Sequence, residues 1–182
     1  STQIENVGFT FMANETQSLK MLDAYNAKYV VVFTTVGVRS DQTTGTYVGT
    51  SVGYGDEGKW MWMARISGQA QQRFKDDGWL PDEESSWTNE SKFGAYTNNT
   101  WVWNDFGKNS TIYKMLSWAK QRWCDTFGIT PDETGVQPTY FKEAYFAGVN
   151  LNPNDTGKYG GIIPIVAIYE IDWTKYRQDL GY

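Results

Sequence analysis

Two runs of β-branched and aromatic residues limit what this chain can become: Tyr29-Val-Val-Val-Phe-Thr-Thr-Val36 and Ile162-Ile-Pro-Ile-Val-Ala-Ile-Tyr-Glu-Ile171. Neither alternates cleanly between apolar and polar, which is the pattern of strands covered on both faces. Pro164 places the start of the second strand, which follows Gly160-Gly161, at an edge or a bulge. Covered strands need helices, and three segments have helical patterning. Asn14 reads as the N-cap of a helix over about residues 15–26, with Gln17 closing a capping box and Leu19 and Leu22 on its apolar side. A second helix is expected from Asp56 to Phe74. In the third, Ser110 is the N-cap, Ile112, Met115, Leu116, Ala119, Trp123 and Phe127 form the apolar stripe, and Gly128 is the C′ residue. A shorter helix is expected over 139–147. The fold class that follows is mixed α/β (α+β), with helices packed around a small buried sheet. A length of 182 residues supports one compact domain.

The remaining segments are polar. Residues 37–55 are rich in Gly and Thr and read equally as a hairpin or a mobile loop. Residues 76–109 are too long for a structureless connection, so short elements are expected within them.

Charge and composition exclude several functions. The net charge of −5 argues against a nucleic-acid partner, which needs a basic footprint. The cations between Lys114 and Arg122 read as a solvated helix face. The chain has no histidine, so the commonest general base and metal ligand are both missing. Its one cysteine, Cys124, lies within a helical pattern and reads as a buried structural thiol. No transition-metal site is expected, while carboxylate clusters such as Asp82-Glu-Glu84 leave Ca²⁺ binding open. Aromatics make up 16% of the chain, which permits stacking on sugars, although core packing accounts for most rings. No apolar run approaches the roughly 20 residues of a membrane span. With Ser as its first residue, the chain is expected to be a piece of a longer one.

The most informative segment is Asp56-Glu-Gly-Lys-Trp-Met-Trp-Met-Ala-Arg-Ile-Ser-Gly68. On a continuous helix at about 100° per residue, Asp56, Lys59 and Met63 would share one stripe. That stripe presents a carboxylate, an ammonium and a flexible thioether able to mould to a small methyl-bearing ligand. The same residues also read as an N-cap, a surface ion pair and a core methionine.

Asp-x-x-Lys-x-x-x-Met at Asp56, Lys59 and Met63 resembles the DK motif of the catalytic subunit of archaeal oligosaccharyltransferases. Lys59-Trp-Met-Trp-Met-Ala-Arg-Ile66 is similar to that family's stretch around the motif. So are Ser18–Phe33 upstream and Asn109–Leu116 and Ile165–Ile171 downstream, in the family's order. The resemblance implies the C-terminal globular domain of a membrane glycosyltransferase, spanning residues 1–182 and starting downstream of a Trp-Trp-Asp-Tyr-Gly motif that this chain lacks. It implies transfer of oligosaccharide from a lipid phosphate carrier to Asn of Asn-x-Ser/Thr sequons, that is, protein N-glycosylation. Met63 would contact the +2 threonine, with Asp56 and Lys59 shaping the pocket. Catalytic carboxylates and a Mg or Mn ion would belong to the transmembrane part, leaving no catalytic residue here and no activity in this part alone. The implied partners are an acceptor polypeptide and the lipid-linked oligosaccharide. The implied location is the extracellular face of the cell membrane.

Trp103-Asn-Asp-Phe-Gly107 looks like the absent motif but lies on the wrong side of Met63, and reads as a loop with a turn-forming Asn-Asp pair. The chain itself carries five sequons, at Asn14, Asn89, Asn98, Asn109 and Asn154, consistent with exposure on the glycosylating side. The competing function is an extracellular carbohydrate-binding or adhesion module. Such a module would expose a coplanar row of Trp rings, whereas the transferase domain would bury them and expose Met63.

Overall fold

The computed structural model describes residues 2–154 and 161–181. Ser1, Gly160 and the end of the Asn154 sequon lie outside that range. The elements are α1 (Thr2–Met12), α2 (Glu15–Ala24), β1 (Tyr29–Asp41), β2 (Thr46–Ser51), α3 (Trp60–Gln69), α4 (Gln71–Asp76), β3 (Gly94–Thr97), β4 (Thr100–Trp103), α5 (Asp105–Lys108), α6 (Thr111–Phe127), β5 (Thr130–Pro131), β6 (Phe141–Ala147), β7 (Ile163–Ile171) and α7 (Trp173–Leu180). With 43% helix and 26% strand, neither class dominates, and the architecture is the mixed one expected. Packing gathers the chain into two compact units, Ser1–Ala27 with Lys59–Tyr113, and Lys28–Gly58 with Lys114–Tyr182. No helix among the described residues is long and apolar enough to cross a membrane.

The first unit is mainly helical. Its capping box forms as the sequence predicts: Asn14 Oδ1 accepts from the Gln17 amide at 2.9 Å, and the Asn14 amide donates to Gln17 Oε1 at 3.3 Å. Its core is built of rings: Phe9, Trp60, Phe74, Trp87 and Phe93 are at most 2% exposed. Phe9 meets Phe74 at 4.5 Å between centroids, and Trp60 meets Trp103 at 4.4 Å. Rings in such tilted contact gain beyond the area they bury. The polar stretch 76–109 carries short elements, as expected: a 3-10 turn, the β3–β4 hairpin and α5. Asn98 and Asn99 turn that hairpin with φ of 52° and 62°, the left-handed region that Asn tolerates best.

The second unit holds a curled five-stranded sheet ordered β5-β2-β1-β7-β6, antiparallel except for the short β2–β5 pair. Segment 37–55 resolves into the β1–β2 hairpin. Both long strands were expected to be covered on two faces, but each is covered on one. Val30, Val32, Thr34 and Val36 are buried while Tyr29 and Val31 are more than half exposed; Ile165, Ala167 and Tyr169 are buried while Val166 and Glu170 are exposed. The antiparallel pleat imposes that period of two, and apolar side chains occupy the open face as well. On the covered face, the Tyr169 hydroxyl donates to the Met115 carbonyl of α6 at 2.6 Å.

The helix expected over 139–147 is instead strand β6. Lys-Glu-Ala is locally compatible with a helix, but pairing with β7 from Phe141↔Ile171 to Ala147↔Val166 decides the outcome, with a bulge between Glu143 and Tyr145. Because that ladder ends at Val166, Pro164 has a strand neighbour only in β1, as its edge assignment requires. Helix α6 has its expected ends: Ser110 Oγ accepts from the Tyr113 amide at 3.3 Å, and Gly128 adopts φ 66°.

Candidate functional site

The segment from Asp56 to Met63 is not one α-helix. Asp56–Gly58 is a 3-10 turn, Lys59 is the N-cap with φ −125° and ψ −11°, and α3 begins at Trp60. The expected common stripe therefore fails for Asp56, which belongs to the second unit, while Lys59 and Met63 belong to the first.

Within the second unit, β2 ends its ladder with β1 at Val36, leaving earlier amides on that edge of β1 without a strand partner. Two consecutive carboxylates take them. Asp56 Oδ2 accepts from the Phe33 amide at 2.8 Å, and Glu57 Oε2 accepts from the Thr35 amide at 3.1 Å. Alternate residues of a strand point their amides to the same edge, so neighbouring acidic residues can extend the ladder in place of a backbone. Glu57 also accepts from the Thr34 and Thr35 hydroxyls and from the Gly53 amide at 2.9 Å. Sequence reasoning missed Glu57, because its β1 partners, Thr34 and Thr35, lie more than twenty positions earlier in the chain.

Within the first unit, Lys59 and Met63 stand one turn apart. Lys59 is exposed and Met63 half-buried, while Trp60, Ala64, Ser67 and Gly68 form the buried side of α3. Met63 is thus not among the fully buried core residues. The backbone of Met63 is held from two directions. Ser67 Oγ donates to its carbonyl at 2.6 Å, and Trp87 Nε1 donates to Ser67 Oγ at 3.2 Å. Across the α1–α3 contact, Gly8 comes so close that a Cβ there would sit 2.9 Å from the same carbonyl. A glycine inside a helical pattern, where it weakens the helix, was the sequence signal for this close crossing. The arrangement fixes the backbone of the turn bearing Met63, whose side chain is half-buried. Trp62, on the outward side of α3, is 61% exposed, and the Arg65 guanidinium lies 4.8 Å from its ring centroid.

Other polar groups have structural roles. Asn104 of the look-alike motif caps α5, its Oδ1 accepting from the Gly107 amide at 2.8 Å. Lys120, expected on a solvated helix face, is buried and paired with Asp132, and it donates to Ser51 Oγ at 3.2 Å. Cys124 is fully buried; burial pushes its thiol up to about 11, with Lys120 pulling the other way. Such a thiol is a poor nucleophile at neutral pH. Burial likewise raises the Tyr169 hydroxyl well above its ordinary range. Among the described residues, no three His, Cys, Asp or Glu side chains gather as a metal ion would require, so no metal step is derived through this chain.

The geometry thus defines a mixed α/β protein with a half-buried methionine on a backbone-anchored helix. In comparison with known proteins, no family model matches the chain, and no curated protein matches it.

Proposed function

We propose that this chain is the sequon-reading part of an archaeal oligosaccharyltransferase catalytic subunit. The complete enzyme moves oligosaccharide from a lipid phosphate carrier to the Asn amide of Asn-x-Ser/Thr, with this part on the extracellular face of the membrane. Met63 contacts the +2 threonine methyl. Lys59 supplies a cation beside it, and Asp56 fixes the chain that leads into the DK segment. The catalytic carboxylates and the Mg or Mn ion belong to the membrane part.

The observation that carries this reading is the state of Met63, an apolar side chain left only half-buried on a turn whose backbone is pinned by Ser67 and crossed by Gly8. Helix stability does not favour Lys59 at its position either, since a cation at an N-terminus opposes the helix dipole. The placement of the rings argues against the carbohydrate-binding alternative: of nine Trp, only Trp62 is exposed, so a coplanar exposed row is absent.

The test is acceptor kinetics of the complete enzyme on matched Asn-x-Thr and Asn-x-Ser peptides. Thr exceeds Ser by one methyl, a group worth on the order of 0.8 kcal/mol when buried. Met63→Ala is expected to shrink any Thr-over-Ser preference by up to about fourfold, with little change in melting temperature. A ratio left unchanged would remove Met63 from the acceptor pocket.

A further inference from the structure

The chain's own sequons occupy very different settings. Asn14 Oδ1 accepts from both the Gln17 amide and the Thr16 hydroxyl, so the Asn and the +2 Thr of that sequon bind each other within a helix cap. Asn109 is exposed, but its +2 residue, Thr111, is 1% exposed and donates from Oγ1 to the Ala13 carbonyl at 2.9 Å. Asn89 is exposed and caps the Ser91 amide at 3.0 Å, and its +2 residue is a Ser. Asn98-Asn99-Thr100 differs from all three. It forms the tip of the β3–β4 hairpin, all three residues are exposed, and neither the Asn98 nor the Thr100 side chain is held by a hydrogen bond among the described residues. Only the Thr97↔Thr100 pair closes the turn, so little structure must open to present it.

We propose that Asn98 is a site of N-glycosylation on this protein, its co-substrate an oligosaccharide carried on a lipid phosphate or pyrophosphate. In the transfer, Asn98 Nδ2 bonds to the anomeric carbon and the bond from that carbon to the phosphate oxygen breaks. The lipid phosphate leaves with the bonding pair, and one amide proton passes to a base of the transferring enzyme. The proposal depends on the function proposed above only for the compartment in which such donors are found.

The experiment incubates the folded chain with a purified single-subunit oligosaccharyltransferase and its lipid-linked oligosaccharide, then maps glycopeptides by mass spectrometry. Synthetic peptides spanning each sequon run in parallel. Asn98 is expected to be modified first, with Asn89 slower. Asn14 and Asn109 should lag by at least about tenfold, since each must first give up a cap or a buried hydrogen bond. The four peptides should differ far less, and N98Q and T100A should each abolish the leading product. Modification of Asn14 or Asn109 in the folded chain at the rate of Asn98 would overturn the proposal. So would an unmodified Asn98, whether or not its peptide is accepted. The assay supplies its own enzyme, so a failed Thr/Ser test of Met63 leaves this result untouched.

Discussion

The two units of this chain both bury aromatic rings but order them by different means. The first fills its core with rings in tilted contact, Phe9 on Phe74, Trp60 on Trp103, and Trp87 against Phe93 at 6.1 Å. The second has buried rings too, among them Trp123, Tyr169 and Phe146, but it adds a backbone ladder that lines up Val30, Val32, Val36, Ile163, Ile165 and Ala167 beside them. A ring cluster owes its order to side-chain fit, so each ring is a large share of the whole. A ladder spreads its order over many hydrogen bonds, so its weak points are where the ladder stops. The Lys120–Asp132 pair, buried on its lysine side, and the Asp56–Glu57 carboxylates both belong to the second unit, the carboxylates at such a stop.

The largest test of that contrast is Trp87→Ala. Emptying a fully buried Trp site costs about 3–5 kcal/mol, and here it also removes the Nε1 donor to the Ser67 hydroxyl beneath Met63. Denaturant melts should show the loss, and near-UV dichroism should collapse. Amide exchange along β1–β7 should be much less affected. Equal loss of protection there would break the contrast, because the units would then unfold together.

Next in size is Glu57→Ala, expected to cost about 2 kcal/mol by stranding the Thr35 amide. Exchange should quicken at Thr35, while Phe33 keeps its bond to Asp56. Unchanged exchange at Thr35 would mean that the carboxylate does not extend the ladder.

The smallest effect concerns Cys124 and appears only in alkali. Its folded thiol ionises near pH 11, above its ordinary value near 9.0. Below about pH 9 the thiol is neutral in both states and contributes nothing to the pH dependence. Between there and pH 11 the unfolded thiol loses its proton while the folded one keeps it, so stability falls as pH rises. Cys124→Ala should flatten that fall relative to the parent chain. At pH 8 a thiol reagent should leave the folded protein unlabelled and react in urea.

What could be read from the sequence follows the range of each interaction. The Asn14–Gln17 box and the ends of α6 at Ser110 and Gly128 are settled within a few residues, and all three were legible. Segment 141–147 was misread because its neighbour in the sheet, β7, lies beyond a further stretch of chain and overrides local preference. The common stripe of Asp56, Lys59 and Met63 presupposed a helix from Asp56 onward. The Phe33 amide, far upstream, draws the Asp56 carboxylate to β1, and the first turn is 3-10. Lys59 and Met63 keep their one-turn spacing, with Lys59 exposed and Met63 half-buried, because that spacing needs only the local turn.

The order of strands in the sheet also has a consequence for synthesis. β1 and β2 are neighbours in sequence and can pair at once as a hairpin, but the other edge of β1 is reserved for β7, far downstream. Loop closure over that distance is slow compared with hairpin formation. During translation, Val30, Val32 and Val36 therefore wait beside an open strand edge, the kind of surface that recruits a neighbouring nascent chain. A product stopped before Ile163 would retain that edge permanently, so aggregation of such truncations, more than loss of any single side chain, is the hazard built into this topology.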